Sequence, residues 1–218
     1  DAIAATESVF PDVDQVGVFD TAFFANTEPA VYHYAVPRAW YENWGVRRYG
    51  FHGISHAYCA ARAHELLDRS GVDLRVVICH LGQGASASAV RGHTALTSTM
   101  GMTPLEGLPM GTRSGAVDPG VLLHLMRERG MTVDQLDHAL HHESGLLALS
   151  GISSDFRAIE QAAEAGDSRS RLAIDVFANR IIAAVGSLTA VLGGLDVLVF
   201  TGGIGENAPQ LRRQVVDQ

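Results

Sequence analysis

The residues that could do chemistry collect where apolar runs break off into glycine. After an apolar run at 197–200 comes TGGIGEN, residues 201–207. There Gly202, Gly203 and Gly205 let the main chain approach a ligand closely or adopt positive φ. A helix starting at this point would turn N–H groups and the positive end of its dipole toward an anion. The pattern suits a phosphate or nucleotide, although a tight strand–helix turn explains the glycines equally well. A second such edge, His80, Leu81, Gly82, Gln83, Gly84, Ala85 and Ser86, closes the run LRVVICHL. Its small residues, amide and hydroxyl suit phosphate cradling. Two glycine-bearing edges behind apolar strands match the habit of open sheets, which seat ligands beyond strand carboxyl ends.

Four further positions gain meaning beside these turns. Asp20 directly follows the apolar run 16–19 and, alone, reads as a turn or helix cap. RRYGFHGISH supplies His52 and His56 at i, i+4, a zinc-compatible spacing on a helix. With no third ligand and no H-E-x-x-H pattern, a single histidine aimed at a phosphoryl group is the better reading. Arg113 stands between Gly111 and Gly115 in MGTRSG. A loop arginine is often only solvated, but one framed by glycines suits an anion clamp with planar donors. Arg47 and Arg48 are adjacent, so in a strand only one can face a site. Ser153, Ser154 and Asp155 are expected helix caps, with Arg157 on the first turn. His141, His142 and Glu143 read as a solvated surface segment, and no GxSxG elbow is present.

All 16 basic side chains are arginine; against 24 acidic ones the net charge is −8. The lack of lysine excludes a P-loop lysine, a Schiff-base lysine and a lysine general base. An acidic balance without basic runs argues against nucleic acid or an anionic membrane as partner. No uninterrupted apolar run reaches the roughly 18 residues of a membrane span. Cys59 and Cys79 lack CxxC spacing and read as buried free thiols, so the expected location is cytoplasmic.

These residues need elements to position them. Apolar runs predict strands at 16–19, 47–51, 74–81, 86–90, 94–96 and 197–200, with a hairpin turn at Arg91-Gly92-His93. Helical spacing and caps predict helices over the opening segment from Asp1, over 37–43 and over 55–67 with Gly71 as its stop. Further helices are expected from Asp118-Pro119 to 129, from 132 or 133 to 140, from 154 or 155 to 165, from 168 to 192 and after TGGIGEN. Residues 97–120 show little periodicity, and an irregular segment of that length is usually functional. Strands alternating with helices mean an α/β domain, a mixed sheet with helices on its faces.

Six segments, VFDTAF, RRYGFHGISH, CHLGQGAS, TMGMTPLEGLPMGTRSG, SGISSD and FTGGIGEN, occur in an order that resembles the acetate kinase family, which includes butyrate kinases. The resemblance implies an actin-like ATPase (ribonuclease H-like) domain, one of two flanking a cleft, from the sugar kinase/Hsp70/actin superfamily. It implies transfer of the γ-phosphoryl of ATP to a short-chain acid such as acetate, giving an acyl phosphate and ADP with Mg2+. By motif, Asp20 would orient substrate or act as acid/base, and His52 and Arg113 would stabilise the transferring phosphoryl. His80, Leu81, Gly82, Gln83 and Gly84 would contact phosphates. Asp155, Phe156, Arg157, Gly203, Ile204, Gly205, Glu206 and Asn207 would hold the adenosine and α-phosphate side. Phe51 and Pro104 would wall the acetate methyl pocket.

The family's metal ligands match no position here. Residues 1–20 then correspond to the end of an inter-domain segment, 21–205 to the C-terminal nucleotide-binding domain and 206–218 to the start of a helix. The family's N-terminal domain and C-terminal tail have no counterpart in these residues, so alone they are expected to catalyse little. A homodimer through this domain is also implied. Gln83, Phe24 and Thr97 stand where the family usually has Asn, His and Asp. Propionate or butyrate as acceptor, an unrelated ATPase and a non-catalytic dimerising remnant are the alternatives.

Overall fold

The computed structural model describes residues 2–69 and 73–218. Asp1 and Gly71, the expected helix start and stop, lie outside them. Four strands form one sheet in the order β3-β2-β1-β4. These are β1 (Arg75–Leu81), β2 (Ala85–Arg91), β3 (Thr94–Ser98) and β4 (Val197–Thr201). β1, β2 and β3 make an antiparallel meander, and β4 returns parallel to β1. The sheet is therefore mixed, as the sequence predicts.

Before it come α1 (Ala2–Val9), α2 (Pro29–Tyr32), α3 (Arg38–Trp44) and α4 (Gly53–Leu66). Between β3 and β4 lie α5 (Pro119–Arg129), α6 (Val133–His142), α7 (Gly145–Ser150), α8 (Phe156–Glu164) and α9 (Ser168–Leu192). α10 (Gly202–Asn207) and α11 (Pro209–Val216) follow. The capping residues behave as their types require. Asp118 accepts from Gly120 N, Asp155 from Arg157 N and Asp167 from Ser170 N. Thr132 and Gln135 close a capping box on α6.

Side-chain alternation builds two cores from one sheet. Val77, Cys79 and Leu81 of β1, with Ala85, Ala87 and Ala89 of β2, face α9 and meet Ala173, Phe177 and Ile181. Val76, Ile78 and Val90 face the other way, onto Cys59 and Ala60 of α4. β1 is buried on both sides, which explains its near-continuous apolar run. The alanines of β2 let α9 pack close. Among the described residues, α9 has the length and apolar content to cross a membrane, but its buried face is the one seated on the sheet. Cys59 and Cys79 are free and buried, and burial pushes the Cys79 thiol up to about 12.

Two predicted strands do not form. Residues 16–19 are irregular and unpaired, with Val16 84% and Val18 72% exposed, because no described strand lies alongside to complete a ladder. Residues 47–51 hydrogen-bond irregularly instead: Arg48 N donates to Tyr32 O, while Tyr49 N and Gly50 N donate to Gly101 O. The expected helix after TGGIGEN begins inside it, at Gly202, and a second one follows from Pro209.

Candidate active site

α4 opens on a strained turn. His52, its N-cap, has φ 58° and ψ 25°, a left-handed conformation that non-glycine residues seldom adopt. Asp20 holds this turn twice: its Oδ2 accepts from His52 N at 2.6 Å, and its carbonyl accepts from Gly53 N at 2.9 Å. A Cβ at Gly53 would lie 2.1 Å from that carbonyl, so only glycine fits. The i, i+4 pair is not a metal pair. His56 points into the sheet, fully buried, with Nε2 2.8 Å from Ser86 Oγ and Nδ1 2.7 Å from Ser88 Oγ. His52 Nδ1 reaches the same Ser86 Oγ at 2.8 Å. Phe24 is buried with its ring edge-on to His56.

His80 stacks near His52, ring centroids 4.4 Å apart, and its Nδ1 lies 2.8 Å from Ser55 Oγ. Burial lowers the His52 pKa to about 4, assisted by His80 and Arg113 and opposed by Asp20. Burial likewise lowers His56 to about 3 and lowers His80 against the pull of Asp20 and Glu206. At neutral pH His52 is therefore a neutral imidazole with one N–H to donate.

Arg113 is fixed by a tightly tied loop. Its own carbonyl accepts from Met110 N, and Leu146 N and Leu147 N of α7 donate to Met110 O and Gly111 O. Thr112 Oγ1 donates to His141 O, so the His141 main chain anchors the loop while its ring stays outside the site. Arg113 Nη1 donates to Pro104 O at 3.1 Å. From the other side, Glu106 is held by Tyr34 OH and by an ion pair with Arg48. Burial and Glu106 push the Tyr34 hydroxyl up to about 12. Arg47 turns away, 3.8 Å over the Tyr32 ring.

His52 and Arg113 meet at Gly84. A Cβ there would lie 3.0 Å from His52 Nε2 and 3.7 Å from Arg113 Nη1. On the other side of the same turn, Gly82 and Gln83 border a cleft of about 530 Å³. Asp155, Phe156, Arg157, Glu160, Gly203, Ile204, Asn207 and Ala208 complete its lining. Most of the residues expected on the adenosine side thus share one hollow with Gly82 and Gln83. Three expected residues play other parts. Leu81 is core, Gly205 is buried behind Phe200, and Glu206 Oε1 accepts from Thr201 Oγ1 at 3.4 Å. Of the C-terminal glycines Gly202 has positive φ, 79°, where a side chain would meet Leu81 O; Gly203 faces open space. Arg157 pairs with Asp155 at the cleft edge. Phe51 packs on the main core directly before His52, and Pro104 touches Arg113.

Sequence reasoning placed the Ser86 hydroxyl in a phosphate cradle, whereas it bonds His52 and His56, and it missed Ser88, Ser55, Tyr34 and Glu106. The one readable signal was the strict Ser/Ala alternation in ASASA, which puts both serines on the α4 face. Among the described residues no three His, Cys, Asp or Glu side chains group as a metal site. These described residues do not by themselves fit Mg2+.

The pattern of the Acetokinase family matches residues 1–218. An acetate kinase of Cyanothece sp. (strain PCC 7425 / ATCC 29141) is 50% identical over 212 residues, 97% of this chain and 52% of that protein. The crystal structure of Porphyromonas gingivalis acetate kinase superposes with a TM-score of 0.93 at 48% identity, over 98% of this chain and 53% of that one. A propionate kinase from Francisella tularensis subsp. tularensis SCHU S4 gives 0.94 at 38% identity, over 99% and 56%. The chain spans about half the length of the curated relatives it matches. The mixed sheet with helices on both faces is the actin-like arrangement these structures share. With its whole length matched and its glycine turns, His52 and Arg113 gathered at one strand end, the chain belongs to the acetokinase family.

Proposed function

We propose that this chain supplies the nucleotide-binding half of an ATP:acetate phosphotransferase, with 21–205 as the nucleotide domain and 1–20 as a connecting segment. The observation that carries this is the meeting of His52 Nε2 and Arg113 Nη1 at Gly84, one residue from the cleft bordered by Gln83.

ATP would lie with its adenosine between Asp155–Arg157 and Gly203–Asn207 and its phosphates along Gly82–Gly84. An acetate oxygen would attack the γ-phosphorus as the bond to ADP breaks, and ADP would leave with the electron pair. Charge grows on the equatorial phosphoryl oxygens, so fixed donors do most of the catalysis. Arg113 supplies a permanent cation and His52 a neutral N–H. Acetate is already ionised near neutral pH and needs no base. Asp20, committed to the His52 turn, is a positioning group. Phe51 and Pro104 would border the methyl group of the acid.

Titrating ADP and ATP into the chain tests the reading directly. Binding that weakens at least tenfold in Gly203→Val supports it; binding indifferent to that change removes it. The similarity to a propionate kinase makes propionate the second reading. One methylene is worth about 1–3 kcal/mol in an apolar pocket, so competition between the two acids decides. Homodimer formation and a cytoplasmic location belong to the same reading. α5 leaves Val121, Leu123 and Met126 exposed, and both cysteines are free. Sedimentation showing only monomer would remove the dimer.

A further inference from the structure

A hydrogen-bonded chain of four side chains runs behind the site, from Ser88 through His56 and Ser86 to His52. Its links measure 2.7 Å, 2.8 Å and 2.8 Å. Ser88, His56 and Ser86 are fully buried. Each hydroxyl carries one hydrogen and each neutral imidazole carries one, so the hydrogens can be counted.

If Ser88 donates to His56 Nδ1, the His56 proton sits on Nε2 and is given to Ser86 Oγ. Ser86 then has its own hydrogen free for His52 Nδ1, and every hydrogen inside the chain finds an acceptor. Reversing the chain leaves the Ser88 hydrogen without one, since His56 is its side-chain partner among the described residues. Letting both histidines donate to Ser86 strands the Ser86 hydrogen. A buried polar hydrogen without an acceptor costs on the order of 1–3 kcal/mol, enough to select one direction. The neutrality that burial imposes on both rings makes the count hold at neutral pH.

We propose that Ser88, His56 and Ser86 act as positioning residues that lock His52 in the tautomer with its proton on Nε2. That nitrogen is the one facing Gly84 and Arg113. The wrong tautomer would aim a lone pair at the phosphoryl oxygens instead of a donor, and two acceptors face to face repel. The role in transfer rests on the kinase reading above; the tautomer does not.

The test is long-range 1H–15N correlation of the histidine rings in the 15N-labelled protein without ligand, beside phosphoryl-transfer rates of the whole protein. The expected result is Nε2–H for His52, lost to a mixture in Ser86→Ala and shifted part-way by Ser88→Ala, which does not touch His52. Alanine at 88 extends the alanine pattern of β2, so that variant is expected to fold. Ser86→Ala should lower kcat about 10- to 100-fold, the usual cost of losing an orienting partner, with the ATP KM unchanged. Ser86→Thr, which keeps the hydroxyl, should recover most of it. An Nδ1–H tautomer in the unsubstituted protein, or an unchanged one in both alanine variants, overturns the proposal. If only the kinase reading is wrong, no form transfers phosphoryl yet the tautomer result stands. If only the tautomer lock is wrong, the Ser86→Ala enzyme turns over normally.

Discussion

The Asp20 carboxylate accepts a hydrogen bond from the main-chain N–H of His52 at 2.6 Å, across 32 residues of sequence. It holds His52 in its left-handed conformation, while the main-chain carbonyl of Asp20 accepts from Gly53 N at the start of α4. The carboxylate thereby decides where the imidazole points. Asp20→Ala should cost about 1–3 kcal/mol by leaving that N–H unpaired. On the proposed kinase reading, transfer should fall by a further factor, on the order of 10², because the His52 donor is misplaced. Asp20→Asn retains an acceptor oxygen and should keep most of the stability. Melting curves beside initial rates check both; equal behaviour of the two variants would count against the role of this hydrogen bond.

Arg113→Lys preserves charge but not the planar donor set that reaches Pro104 O and the space over Gly84. A kcat loss of about 10²–10³ with little change in nucleotide affinity is expected. Comparable losses in kcat and in ADP affinity would show that Arg113 serves binding instead.

Two glycines in neighbouring turns should respond differently to alanine. At Gly84 the new methyl would lie 3.0 Å from His52 Nε2, at the spot where both donors converge. The variant should fold and lose transfer. At Gly203 nothing lies within 4 Å, so the protein should be as stable as before, with its ATP KM raised by intrusion into the cleft. Steady-state kinetics on both variants separates the transfer end of the site from the nucleotide end.

Acid should loosen the fold through its histidines. His52 and His56 titrate at about 4 and about 3 in the folded protein against 6.5 in the unfolded chain. Below 6.5 the unfolded chain binds protons that the folded one refuses, so stability is full above that pH and declines as pH falls toward 4 and then 3. Each unit of depression is worth about 1.4 kcal/mol, and the fully buried His56 contributes most. Urea midpoints at pH 7 and pH 5 test this; an unchanged or higher midpoint at pH 5 would contradict it.

Local rules made most of the scaffold readable. Asp118-Pro119, Thr132, Asp155 and Gly193 all mark real helix ends, and the Arg91-Gly92-His93 turn is a real hairpin. Residues 16–19 misled because apolarity signals burial without saying against what. The glycine turns, His52 and Arg113 stood out by type and spacing. Ser88, Tyr34, Glu106 and the histidine partners of Ser86 did not, because their meaning comes from partners far away in sequence: Glu106 meets Tyr34 across 72 residues and Arg48 across 58. No local spacing encodes such a pairing.

Because β1 and β4 run side by side in one direction, with His80 opposite Thr201, the two glycine turns emerge as neighbours. Strand separation is about 4.8 Å and each residue advances about 3.3 Å, so one inserted residue before either turn would displace it by most of a phosphate group's width. The Gly92-His93 tip sits at the opposite end of the sheet, beside Arg75. Insertions, peptide tags or fluorophore-bearing loops belong there, and length changes at the other rim should be the ones this scaffold refuses.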